Sequence, residues 1–148
     1  MSPDQLIIIR ETRDRLEPQL TELSSTLHAA LYEVDANTSS TFRGGGGAGC
    51  DVRALLDLLV NMSKDPHRLV PTVAELGRRH AESAVRQADY RVTGIALLRA
   101  LERLLGPAFT PEVHDAWAEA FAVVSTVMER GALRASGEWN PRSDPGVA

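Results

Sequence analysis

His80 is the side chain whose spacing is best suited to chemistry. It falls on one stripe with Leu69, Val73 and Leu76, at steps of four, three and four, the repeat of a single helical face. An imidazole on an apolar face has two uses: it is a hydrogen-bonded core residue, or it offers a nitrogen lone pair to a metal. The other histidines stand differently. His28 lies beside an apolar stripe, whereas His67 and His114 sit at helix starts among polar residues and read as surface groups. Cys50 is the only cysteine, so no intrachain disulfide can form, and no neighbour lowers its pKa convincingly. It follows the run GGGGAG, Gly44 to Gly49. A phosphate-binding loop would need a preceding strand and a GK[ST] ending, and neither is present. The run reads as a flexible loop.

The elements that must position His80 are helices. Ser2-Pro3-Asp4 opens the first: a capping hydroxyl, a first-turn proline and an acidic residue at the positive end. Leu6, Ile9 and Leu16 give it one apolar face, widened by Ile7 and Ile8, and Pro18 breaks the run. Leu20, Leu23, Leu27, Ala30, Leu31 and Val34 repeat at helical spacing, with His28 beside them. After the polar stretch from Asp35 to Thr41 and the isolated Phe42, a helix is predicted over Asp51 to Ser63, apolar on most sides. Asp65-Pro66 stops it, and Leu69 to Ser83 carries His80. Gly77 inside that helix costs about 1 kcal/mol against alanine, which implies close approach of another body.

A long helix is predicted from Ala88 to Leu105, with Val92, Ile95, Leu98, Leu101, Leu104 and Leu105 facing inward and Leu97 on a second stripe. Gly106-Pro107 ends it. Thr110-Pro111-Glu112 starts the last, predicted to run to about Arg130 through Val113, Trp117, Phe121, Val124 and Met128. From Gly131 the pattern fails, so 1–131 reads as one domain and 132–148 as a frayed tail. No segment alternates with period two, and the chain is predicted to be all-α with six or seven helices.

Composition narrows the function classes. The chain has 148 residues, 43% of them hydrophobic, enough to bury a core. Its net charge is −4 with both signs scattered, which argues against a nucleic-acid surface. No apolar run approaches a membrane span, and the Leu6–Ile9 cluster lacks the basic flank and length of a signal peptide. One cysteine suits a reducing, cytoplasmic compartment.

The LGRRH segment (Leu76 to His80), Tyr90 ten residues later, GIALL (Gly94 to Leu98) and LGPAFTPEVHDAWAEAF (Leu105 to Phe121) together resemble the globin family. They are similar to the second half of neuroglobins and to the haem domain of bacterial flavohaemoglobins. The likeness extends upstream over Leu27 to Phe42 and spans Gln5 to about Arg130, weakly at the glycine run. It implies the globin fold, a 3-on-3 helical sandwich with a short or missing D helix and a Gly-rich CD loop. Since no reductase domain follows, it also implies a single-domain bacterial-type haemoglobin.

The resemblance implies haem b (iron protoporphyrin IX), with His80 as the proximal iron ligand. The other ring nitrogen of His80 is expected to donate to a carbonyl near Leu76 or to another nearby acceptor. Phe42 matches the aromatic that packs flat on the porphyrin. Leu76, Val85 and Leu97 match proximal apolar contacts, and Tyr90 matches the tyrosine that closes that pocket. Arg79 is either a propionate partner or a solvated charge. Val52 and Leu56 fall on the distal side, where the usual polar position lands on Ala48. His28 matches a distal tyrosine and could hydrogen-bond bound oxygen or reach the iron. The glutamate that flavohaemoglobins carry in the last helix corresponds to Ala132, with Glu129 expected to point elsewhere.

These residues imply reversible binding of O2, NO or CO. Nitric oxide dioxygenation would need an external reductase, and spare apolar stripes would suit a homodimer. The rival expectation is a haem-free globin-fold regulatory or sensor module.

Overall fold

The computed structural model describes residues 1–36, 51–82 and 87–136. Among them are six α-helices and no strand: α1 Pro3–Leu16, α2 Leu20–Val34, α3 Val52–Lys64, α4 Pro66–Glu82, α5 Gln87–Leu105 and α6 Pro111–Ser136. The all-α expectation holds. Phe42, Val85, Ala48, Cys50 and the glycine run lie outside the described residues, as does 137–148.

The helix starts follow the capping chemistry. Ser2 Oγ accepts from the Gln5 amide at 3.2 Å while Gln5 Oε1 accepts from the Ser2 amide at 2.9 Å, a reciprocal capping box. A 3-10 turn at Glu17–Gln19 absorbs Pro18 between α1 and α2. Asp51 Oδ1 caps α3 through the Ala54 amide at 3.2 Å, and Thr110 Oγ1 caps α6 through the Val113 amide at 3.3 Å. Gly106 ends α5 at φ +53°, a left-handed conformation that favours glycine.

Two boundaries and two faces differ from expectation. α4 begins at Pro66, not Leu69, because proline suits a first turn and Asp65 accepts from the Arg68 amide at 3.4 Å. α6 passes through Gly131 to Ser136, so the expected 131/132 boundary falls inside a helix. Gly131 is kept there by contact: a Cβ on it would lie 1.9 Å from the Ala74 carbonyl oxygen. α3 is amphipathic rather than apolar all round, burying Val52, Leu56, Leu59 and Met62 while Arg53 and Ala54 face outward. Ile95 is 41% exposed, and it lines a shallow cleft with Leu98, Phe109 and His114.

α6 is the hub, packing against α1, α3, α4 and α5, while α2 lies mainly on α5. The core gathers Ile9, Leu16, Leu23, Leu27, Leu56, Leu59, Val73, Leu97, Leu101 and Trp117. α1 and α3 are joined by charge as well. Arg13, its side chain 11% exposed, donates to Asp57 at 2.8 Å and to Glu17 at 2.6 Å, and Arg53 reaches Glu17 at 2.6 Å. Arg13 occupies a core-facing slot between Ile9 and Leu16, where a buried cation must be paired.

Candidate functional site

His80 lies in the last turn of α4 and is half-buried. Gly77, one turn earlier, is fully covered: a Cβ there would sit 2.0 Å from the Met128 carbonyl oxygen. The close approach implied by a helical glycine is therefore found, and the approaching body is the backbone of α6. Val73 is in the core, and Leu76 packs against it. The stripe from Leu69 to His80 thus faces the interior, as its periodicity predicts.

Tyr90 enters from the first turns of α5. Its Oη stands 3.5 Å from His80 Nδ1, at the outer limit of a hydrogen bond, and the two ring centroids are 6.3 Å apart at 38°. The Tyr90 hydroxyl, rather than a carbonyl near Leu76, thus stands within reach of that nitrogen, and the tautomer of His80 sets which of the two donates. Burial lowers the His80 pKa, which favours neutral imidazole. Tyr90 is pushed up to about 12, first by burial and then by the negative charges of Glu129 and Asp89. Its phenol therefore stays protonated across the physiological range.

The charge of Glu129, one turn before Ala132, adds to burial in raising the Tyr90 pKa. α6 remains helical where it passes α4, which carries this residue past the site. Asp89, fully buried beside Tyr90, is the residue that pattern reading missed. An acidic residue in a first turn reads as a dipole partner, and only its burial sets it apart.

The other predicted site residues are placed as follows. Leu97 is fully buried on α5, and Val52 and Leu56 are buried on α3. Arg79 is exposed, with Glu75 3.7 Å away, in keeping with a solvated charge. Glu75 is bound more closely by Arg78, at 2.6 Å. Ala132 remains within α6. His67 and His114 are exposed, as expected. Among the described residues no cluster of three or more His, Cys, Asp or Glu side chains is arranged to hold a metal ion.

His28 is half-buried on α2, and its Nδ1 lies 2.8 Å from the Ser24 carbonyl oxygen. A carbonyl only accepts, so Nδ1 carries the proton. The neutral ring then presents a lone pair at Nε2, making it an acceptor or a metal ligand there rather than a donor. This bears on the expectation that His28 donates to bound oxygen: in this geometry donation from Nε2 requires the imidazolium.

Comparison with known proteins falls on the same stretch. The globin family model matches residues 47–128, from the end of the glycine run to the α4–α6 crossing. Neuroglobin of Danio rerio is 32% identical over 80 residues, 54% of this chain and 50% of that protein. Neuroglobin of Tetraodon nigroviridis is likewise 32% identical over 80 residues. The chain thus spans about half the length of these relatives. The upstream likeness over Leu27 to Phe42 lies outside the segment that the family model matches. Among the described residues, no helix is long and apolar enough to cross a membrane.

Proposed function

The chain belongs to the globin family, and from that premise we propose that it holds haem b through His80 and binds O2 and other diatomic gases. The observation that carries this reading is the His80–Tyr90 pair: a half-buried imidazole kept neutral by burial, with Nδ1 3.5 Å from a phenol oxygen. Neutral imidazole is the proximal donor used in globins. Donation from Nδ1 to Tyr90 Oη leaves the lone pair on Nε2, the nitrogen free to take iron. The donor set therefore fits the group.

An iron porphyrin, when bound, would supply the iron that takes a diatomic gas. The chain supplies the rest. Leu76 and Leu97 give the proximal side apolar surface, and Val52 and Leu56 do so on the distal helix. Water exclusion by such walls protects the ferrous state. Phe42 and Val85 complete the proposed contacts by family resemblance, which also makes Arg79 a candidate partner for a propionate. The chain contains one cysteine, so it has no CxxCH pair for covalent haem attachment, which favours the b type. Nitric oxide dioxygenation would require electrons from an external reductase. The proposed setting is cytoplasmic, where a lone thiol stays reduced.

The test is colour. Purified protein, or protein given hemin, should show a Soret band, and His80→Ala should lose it or leave weakly held, unligated hemin. Colourless protein that rejects hemin overturns the reading in favour of a haem-free regulatory globin.

A further inference from the structure

Among the described glycines, Gly77 and Gly131 leave the least room for a side chain. A Cβ on Gly77 in α4 would meet Met128 of α6 at 2.0 Å from its carbonyl oxygen and 2.5 Å from its Cα. A Cβ on Gly131 in α6 would meet Ala74 of α4 at 1.9 Å from its carbonyl oxygen and 2.9 Å from its Cα. The arrangement is reciprocal, with each helix offering one glycine to the other's backbone. The obstructing atoms are main chain on both sides, so no rotamer change can absorb a methyl group. The helices themselves would have to part by about 1 Å to restore tolerable contacts. Each glycine also costs about 1 kcal/mol of helix propensity, so the close approach is maintained against local preference.

His80 lies three residues beyond Gly77 and therefore on the same side of α4. Glu129, whose charge reaches Tyr90, directly follows Met128. Tyr90 itself comes from α5, a third helix. We infer that the paired contacts Gly77–Met128 and Gly131–Ala74 are a positioning device for His80: they set α4 against α6 and so fix where His80 meets Tyr90. Retreat of α4 from α6 shifts His80 relative to a phenol already at the limit of hydrogen-bond reach. The contacts thereby govern the direction in which Nε2 is presented. This role for an iron-binding His80 rests on the haem reading above, whereas the placement of the two rings does not.

Gly77→Ala and Gly131→Ala act through different contacts and test the device from both helices. Leu16→Ala, in the core of α1, is the control for destabilisation alone. In haem-free protein, the nuclear Overhauser cross-peak between the His80 and Tyr90 ring protons should be lost in both glycine variants and kept in the control. With hemin bound and reduced, the iron–histidine stretching band should shift and broaden in the glycine variants only. An unchanged cross-peak and band in folded glycine variants overturns the inference, as does an equal change in the control.

Hydrogen exchange on wild-type haem-free protein covers variants that fail to fold. Amides in 75–80 and 126–131 should open as one cooperative unit, and independent opening overturns the inference. Should wild-type protein refuse hemin, the haem reading fails, and the ring cross-peak and exchange still decide the positioning.

Discussion

The helix proposed for the proximal side and the helix proposed for the distal side are held in place by different physics. α4, with His80, meets α6 backbone to backbone at Gly77 and Gly131. α3, with Val52 and Leu56, is tied to α1 by ion pairs, with Arg13 between Asp57 and Glu17 and with Arg53 on Glu17. Steric contact is short-ranged and indifferent to salt and pH. Ion pairs whose carboxylates are half exposed respond to both. The difference teaches that the proposed iron ligand sits on a support set by backbone geometry, while the proposed gas-facing wall adds charge to its apolar anchoring.

The largest expected effect asks whether both supports rest on an equally firm core. Leu56 on α3 and Leu97 on α5 are each fully buried. Leu56→Ala and Leu97→Ala should each cost about 2–5 kcal/mol in urea unfolding of haem-free protein. A cost well under 1 kcal/mol for Leu56→Ala would mean that α3 is not anchored by its apolar face, leaving the ion pairs to hold it alone.

An intermediate effect isolates the charge. Arg13→Met keeps most of the buried stem but removes the guanidinium, and Asp57 and Glu17 can rehydrate because each is about half exposed. The expected loss is about 1–2 kcal/mol, in the range of charge-assisted hydrogen bonds between partly screened groups. Added salt should erode the wild-type margin and leave the variant nearly unaffected. Equal salt sensitivity in the two proteins would remove electrostatics from the account of α3.

How much of this was legible in the sequence depends on the range of the interaction. Local chemistry was: the cap at Ser2, the stop at Gly106 and the start at Thr110 each depend on residues within a turn. The inward face of His80 follows from Leu69, Val73 and Leu76 alone, and Gly77 announced a close neighbour without naming it. Long-range partners were not legible. That Met128 is the neighbour and that Glu129 bears on Tyr90 depend on how helices cross, whereas the nearness of Tyr90 to His80 was expected from the family resemblance and not from the pattern. Arg13 could have been found, since it follows Ile9 by four and precedes Leu16 by three. Ile95 could not, because its helix is apolar on two stripes and only packing decides which stripe is covered. The His28 tautomer needs a coordinate, the 2.8 Å approach to Ser24, and it alters what that residue can offer a ligand. His28→Leu should therefore leave the oxygen dissociation rate nearly unchanged, because the tautomer fixed by Ser24 offers no proton from Nε2. A marked rise in that rate would mean that Nε2 does donate.

The smallest effect separates the two supports by pH in haem-free protein. The pKa of His80 is lowered by burial from its ordinary 6.5. Just below that value the unfolded chain takes a proton that the folded one refuses, so stability should fall as the pH drops from about 6.5 and level off once the folded form also titrates. Tyr90 does the reverse at the alkaline end: its folded pKa is about 12 against an ordinary 10.0, so stability should decline above pH 10 as the unfolded chain ionises first. The α1–α3 side responds elsewhere. Glu17 is lowered from 4.5 by hydrogen bonds from Arg13 and then Arg53, so its contribution is present above 4.5 and lost as the pH falls through the lowered value. Chemical unfolding across pH should then show a decline below 6.5 that His80→Leu removes and Arg13→Met leaves intact. It should show a second decline below 4.5 that Arg13→Met reduces, Glu33 and Glu75 still contributing, and that His80→Leu leaves intact. If His80→Leu leaves the first decline in place, His80 is not the group held neutral by burial, and its claim to be a ready donor weakens with it.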